Sequence, residues 1–311
     1  MNDRPRPIVA RGLVKRYGHV LAVDGVDLTV DRGDVYGFLG PNGAGKTTTL
    51  RILLGLIRPD AGSVRLFGND PHEDAPRALE GVAGFVEEPH FYPYLTGRKN
   101  LQLLAAFDGN GARSRIDEAL ALVELRPRAG DRVGGYSQGM RQRLGIAASL
   151  LRDPRLLLLD EPTNGLDPGG MRDMRNLIRR LAHEGITILL SSHLLYEVDD
   201  LCNRVAIVRD GRIVYEGTID DLHGGRATQY RLRVTDHDGA RALLERHPGV
   251  DSVVDNGAEL SFSADESTVV TVSRALGEAG IGIAALIPEA ASLEALFFEL
   301  TEDQPQPAAA A

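Results

Sequence analysis

A glycine-rich loop set between an apolar strand and a helix restricts this chain more than any other feature. Val35–Leu39 is an apolar run of buried-strand length that ends directly in Gly40-Pro41-Asn42-Gly43-Ala44-Gly45-Lys46-Thr47-Thr48. From Thr48 onward the apolar residues take helical spacing until Arg58-Pro59-Asp60 stops it. The loop fits the phosphate-loop pattern GxxxxGK[ST]. Its glycines let backbone amides converge on phosphate oxygens, and the following helix adds the positive end of its dipole. In that arrangement Lys46 reaches the β- and γ-phosphates, and Thr47 offers a hydroxyl to Mg²⁺. Of the 35 basic residues only Lys15, Lys46 and Lys99 are lysine, so a lysine at position 46 stands out.

A second constellation lies downstream. Leu156-Leu157-Leu158-Leu159 reads as a buried strand that carries Asp160 and Glu161 to its C-terminal end, where ligands of open α/β sheets collect. There Asp160 can hold Mg²⁺ and Glu161 can polarise an attacking water. Further apolar strands are read at Ile186–Leu190 and Val205–Val208, with helical stretches between them, which predicts a parallel sheet with crossover helices. Short alternating strands over 7–35, punctuated at Gly18, Gly25 and Gly33, predict an antiparallel β subdomain. Helical spacing over Arg98–Phe107, Ser114–Glu124 and Gln138–Leu151 predicts a helical subdomain at about 96–151. Asp210-Gly211 reads as a hairpin turn. After His223-Gly224-Gly225 the order becomes β-α-β-β-α-β, that of a ferredoxin-like α+β module. The expected division is 1–225, 226–302 and a disordered tail 303–311, with a last helix at Ser292–Leu300.

Composition narrows the partners. The 311 residues are 43% hydrophobic and 25% charged, an ordinary globular balance. A net charge of −9 argues against general affinity for nucleic acid or anionic lipid, so no nucleic-acid partner is expected. Cys202 is the only cysteine, which excludes an intrachain disulfide. The opening residues lack the apolar core of a signal peptide, and no apolar run approaches the roughly 18–20 residues of a membrane span.

Between the two phosphate-site elements stands Tyr136-Ser137-Gln138-Gly139-Met140, followed by RQRLGIAASLL. With these motifs residues 7–222 resemble the ATPase subunits of ABC transporters, whose signature is usually LSGGQ. Tyr136, Gln138 and Met140 depart from it; Ser137 and Gly139 are retained. The resemblance implies an α/β phosphate-loop fold of the ABC type that hydrolyses ATP with Mg²⁺. It also implies that Ser137, Gln138 and Gly139 complete the site of a second, identical chain in a head-to-tail dimer. Asn164-Gly165-Leu166-Asp167-Pro168 resembles the D-loop that passes between subunits, with Asp167 at the nucleotide. Ser191-Ser192-His193 resembles the switch segment, with His193 as γ-phosphate sensor and Glu161 as base, and Tyr17 matches the aromatic that stacks on adenine.

EEPxFYPxLTGRxNL together with YSQGMRQRLGIA is similar to the branch serving ABC-2 type exporters of drugs, antibiotics, peptides or lipids, such as daunorubicin-resistance and lantibiotic-immunity systems. This implies a separate permease that receives Glu88–Leu101 and holds the protein on the cytoplasmic face of the cell membrane. The alternative is an ABC ATPase acting on ribosomes or DNA, but no second phosphate loop or heptad run is present. A GTPase would need an NKxD-like motif, and the sequence has none. Where the family usually has glutamine, this chain has Glu87, which as an anion is expected to bind Mg²⁺ more strongly. Glu87→Gln is therefore expected to alter the Mg²⁺ dependence or the rate of ATP hydrolysis; a variant unchanged in both would remove Glu87 from the metal site.

Overall fold

The computed structural model describes residues 5–108, 111–224 and 228–289. The chain opens with β1 (Ile8–Tyr17), β2 (Val20–Val30) and β3 (Val35–Leu39), then α1 (Lys46–Leu53), β4 (Ala61–Leu66), α2 (Ala75–Ala78) and β5 (Val82–Phe85). Three helices follow, α3 (Gly97–Asp108), α4 (Ile116–Leu122) and α5 (Gln138–Leu150). Strands and helices then alternate through β6 (Leu156–Asp160), α6 (Pro168–His183), β7 (Thr187–Ser192), α7 (Leu195–Leu201) and β8 (Arg204–Arg209). After β9 (Arg212–Thr218) and α8 (Ile219–Gly224) come β10 (Thr228–Val234), α9 (His237–Leu244), β11 (Asp251–Asp255), β12 (Leu260–Ala264), α10 (Glu266–Glu278) and β13 (Ile283–Glu289). The chain divides into two compact units, Met1–Gly217 and Thr218–Ala311, so the division falls ahead of the glycine pair at 224–225.

In the first unit a six-stranded sheet has the order β5-β6-β7-β3-β8-β9. The pairs β5–β6, β6–β7, β7–β3 and β3–β8 are parallel, and β6 and β7 are buried along their whole length. That is why they read as unbroken apolar runs: parallel strands covered on both faces have no solvent side to alternate with. Asp210 and Gly211, both at positive φ, make the two-residue turn into β9. The order of these strands places the C-terminal ends of β3, β6 and β7 side by side, where Gly40, Asp160 and His193 emerge.

The antiparallel sheet β2-β1-β4 covers the same core. The sequence suggested short strands here; the structure has two long ones, bent where Gly12 and Gly25, at φ 56° and 73°, interrupt the register. Helix α1 also differs from its expected length. It stops at Leu53 because Gly55 takes a left-handed conformation and the Leu56 amide turns back to the Arg51 carbonyl, leaving Leu56 and Ile57 outside the helix. The helical stretch expected at Ser114–Glu124 begins as a 3₁₀ turn at Ala112–Arg115 and ends at Glu124 in the left-handed region. In the first turn of α3, buried Asn100 accepts from the Tyr92 amide at 2.9 Å and donates to the Tyr92 and Thr96 carbonyls, which pins the loop ahead of the helix.

The second unit has an antiparallel sheet of order β11-β12-β10-β13 with α9 and α10 packed on one face. Its core is built from Leu232, Phe262 and Leu260 of the sheet and Leu244, Val272 and Leu276 of the helices. Connection and strand order together are those of a ferredoxin-like module. The helix expected at Ser292–Leu300 and the tail at 303–311 lie outside the described residues. Among the described residues no helix is long and apolar enough to cross a membrane.

Leu158, at 0% exposure in the middle of β6, belongs to the cluster that joins the two sheets of the first unit. Leu158→Ala is expected to destabilise that unit by about 2–5 kcal/mol in denaturant titration; a loss well below this would contradict its complete burial.

Candidate active site

Close approaches of backbone fix the glycines of the phosphate loop. A Cβ at Gly40 would lie 2.4 Å from the Val208 carbonyl oxygen, and one at Gly45 would lie 2.2 Å from that of Ala22. Gly43 and Gly45 also hold φ of 84° and 100°, a region that costs little only for glycine. The Gly40 amide donates to the Ser192 carbonyl, which ties the loop to the end of β7. Helix α1 starts at Lys46 with no side-chain cap and no acidic residue in its first turn. Its first amides and dipole therefore face the loop without a protein anion, as a phosphate site requires.

Lys46 is 5% exposed and folds back onto the loop, with Nζ 2.7 Å from the Gly40 carbonyl and 3.1 Å from that of Pro41. The same Nζ lies 3.2 Å from Glu161 Oε1, and His193 Nδ1 lies 2.7 Å from Glu161 Oε2. Lys46, Glu161 and His193 thus form one chain of polar contacts above the loop. Glu161 sits at φ 45°, a conformation that costs on the order of 1–3 kcal/mol and that sends its side chain away from the line of β6.

Asp160, 4% exposed, is arranged differently. Its Oδ1 accepts from Ser191 Oγ at 2.5 Å and its Oδ2 accepts from the Glu87 amide at 3.3 Å. Ser191 Oγ also accepts from the Glu161 amide at 3.0 Å, so one hydroxyl aligns both acids. Among the described residues no cationic side chain pairs with Asp160. A buried carboxylate without a counter-ion is costly, and hard oxygen donors suit Mg²⁺, so Asp160 and the Thr47 hydroxyl fit that ion. No cluster of three or more His, Cys, Asp or Glu able to hold a metal alone is present among the described residues, so nucleotide phosphates would supply further oxygens.

Glu87 lies beside this centre through its backbone. Its carboxylate is engaged by Arg51, with Nη2 to Oε1 at 2.6 Å, and is 64% exposed. Arg51 was not singled out from the sequence; the available signal was its place four residues after Thr47, on the same face of α1. Tyr17 is 46% exposed at the end of the β1–β2 hairpin, opposite Val20, two residues from the Ala22 carbonyl that presses on Gly45. Lys15, held by Asp60 at 2.9 Å, lies 5.8 Å from the Tyr17 ring centre. The Lys15 ammonium and the Arg16 amide keep the Asp60 carboxyl below its usual range.

The signature residues form a separate cluster. Ser137 caps α5 by accepting from the Met140 amide, and Asp167 caps α6 by accepting from the Gly170 amide. Gln138 Nε2 donates to the Asn164 carbonyl at 3.0 Å, which sets its amide over Gly165, and Leu166 packs at 3.6 Å from where a Gly139 Cβ would be. Tyr136 is buried; its hydroxyl donates to the Arg128 carbonyl and leaves no room for a side chain at Gly97. Burial pushes its pKa up, followed by the nearby Asp131 charge. Two of the three departures from LSGGQ thus have packing partners here. Ser137, Gln138, Gly139 and Asp167 make no hydrogen bond or ion pair to 40–48, Asp160, Glu161 or His193 among the described residues.

Residues 23–164 match the family described as ABC transporter. The chain is 44% identical over 236 residues to the bacitracin transport ATP-binding protein BcrA of Bacillus licheniformis, covering 76% of this chain and 77% of that protein. It is 39% identical over 303 residues to the daunorubicin resistance ATP-binding protein DrrA3 of Streptomyces coeruleorubidus, covering 95% and 96%. Its fold is similar to an ATP-binding cassette solved as a dimer in a post-hydrolysis state with ADP and Pi, at a TM-score of 0.62 and 25% identity, covering 68% of this chain and 98% of that one.

Ser191→Ala takes a donor from the buried Asp160 and an acceptor from the Glu161 amide. Supporting partners of this kind typically matter 10- to 100-fold, so ATP turnover is expected to fall by about that factor in a steady-state phosphate-release assay while the fold persists. Turnover within two-fold of the parent, about, would show that the hydroxyl does not align the acids.

Proposed function

This chain belongs to the ABC transporter family of ATP-binding proteins, and from that membership we propose that it is the ATP-hydrolysing subunit of an ABC-2 type exporter. The observation that carries the chemistry is the Lys46–Glu161–His193 chain standing over an uncapped helix start and beside the uncompensated Asp160. The amides of 43–48 and the Lys46 ammonium take the β- and γ-phosphates of ATP, and the Tyr17 face takes the adenine. Lys46 then exchanges the loop carbonyls and Glu161 Oε1 for phosphate oxygens, which frees one oxygen of Glu161 to orient water and accept its proton. His193, still held through Nδ1 by Glu161, presents the other side of its ring to the γ-phosphate. Thr47, Asp160 and Glu87 would hold Mg²⁺, which when bound neutralises charge on the β- and γ-phosphates.

The site is completed by a second copy. Ser137 and Gly139 lie at the start of α5, apart from the phosphate loop of their own chain, and the amides there suit a γ-phosphate presented from outside. A head-to-tail homodimer with two ATP–Mg²⁺ at its interface supplies that arrangement, with Asp167 passing between the chains. Closure on ATP and reopening on hydrolysis drive a separate permease, which carries the membrane spans and holds this subunit on the cytoplasmic face of the cell membrane. The relatives named for bacitracin transport and daunorubicin resistance support a drug or antibiotic as cargo.

Glu161→Gln tests this reading. It keeps the side chain's size and removes its basicity, so hydrolysis is expected to drop by roughly 10²–10⁴-fold while ATP binding persists. The variant should accumulate as an ATP-bound dimer in size-exclusion chromatography with light scattering. A variant that stays monomeric with ATP, or hydrolyses at the parental rate, would overturn the assignment.

A further inference from the structure

Glu87 has two attachments that pull on different parts of the residue. Its amide is tied to Asp160 Oδ2 at 3.3 Å, and its backbone sits at φ 67°, so the main chain is held beside the buried acid. Its carboxylate faces away, to Arg51 Nη2 at 2.6 Å. Arg51 lies one turn after Thr47 on α1, so the guanidinium rises from the helix that starts at the phosphate loop. Among the described residues Glu87 is the only ion-pair partner of Arg51, and the neighbouring Glu88 is taken by Arg141 at 3.4 Å.

We propose that Arg51 is a positioning residue that competes with Mg²⁺ for the Glu87 carboxylate, parking it away from the phosphates until the metal arrives with nucleotide. The inference rests on the reading of this site as one for ATP and Mg²⁺. Without the metal, a Glu87 carboxylate free to swing from a backbone held at Asp160 would add a negative charge near the phosphates and repel them; paired with Arg51, its charge is neutralised. With the metal, the same carboxylate has a stronger cationic partner within reach of its fixed backbone. The exchange is easy because the pair is on the surface: the Arg51 and Glu87 side chains are 35% and 64% exposed, and exposed pairs are weak. A glutamine at position 87 would need no such partner, so Arg51 accounts for how this chain tolerates an acid there.

The test is the ratio of ATP dissociation constants in EDTA and in excess Mg²⁺, measured by calorimetry on the full chain. Arg51→Met keeps most of the apolar stem and removes the charge. It is expected to weaken ATP binding in EDTA relative to binding with Mg²⁺, raising the ratio about two- to five-fold, the scale of an exposed ion pair. In a Glu87→Gln background the same substitution should leave the ratio unchanged, and Arg51→Lys should restore the parental value. If Arg51→Met melts below the parent's working range, Arg51→Gln is read in the same way. An unchanged ratio in Arg51→Met, or an equal rise in the Glu87→Gln background, overturns the proposal. A parent chain that binds no ATP overturns the function proposed above instead, so the two failures are distinct.

Discussion

Everything at this site depends on two backbone carbonyls pressed against the phosphate loop. The Val208 oxygen from β8 and the Ala22 oxygen from β2 come so close to Gly40 and Gly45 that neither position can carry a side chain. The loop therefore carries no side chain at Gly40 or Gly45, and the first turn of α1 is left without a protein anion. Side chains would fill the space and supply their own hydrogen bonds. Packing between two sheets thus shapes the loop, and the positive end of α1 sets the sign of the charge that suits it.

The charges around the loop are balanced in a way that favours a ligand. Lys46 neutralises one oxygen of Glu161 and His193 holds the other, while Asp160 has only hydrogen bonds from Ser191 and Glu87. Lys46 spends its donors on loop carbonyls that a phosphate can replace. The Lys46 ammonium is buried and has already left water, so transferring it to a phosphate costs little further desolvation of the cation. The Ser191 hydroxyl bridges Asp160 to the Glu161 amide, so one side chain fixes the two acids relative to each other. The polar groups of the signature, gathered around Ser137 and Asp167, are satisfied by helix caps and by the Gln138–Asn164 link, not by the loop of their own chain.

What the sequence revealed and what it hid divide along the range of the interactions. The phosphate loop, β6 and the two acids at its end are written in short stretches, because local periodicity and turn chemistry decide them. The ferredoxin-like order of the second unit was legible for the same reason, through the alternation of β12 and the Asn256-Gly257 pair ahead of it, where Gly257 takes φ 84°. Helix α1 was read too long because the apolar spacing continues past Gly55, and a glycine's left-handed turn is a tertiary choice. Arg51 on Glu87 and Tyr136 over Gly97 could not be read at all. Each joins residues brought together only by folding, and one arginine among many carries no mark of its partner.

The central claim is that one chain holds only half of each ATP site, with the phosphate loop in one copy and Ser137 with Gly139 in another. Mixing two inactive variants tests this most directly: Lys46→Ala, which disables the phosphate loop, and Ser137→Arg, which blocks the signature. In a mixed dimer one site receives both lesions and the other receives none. The account predicts little ATP turnover from either variant alone and a recovery of turnover when they are mixed. Parental turnover from Ser137→Arg by itself, or no recovery in a mixture shown to contain mixed dimers, would contradict it.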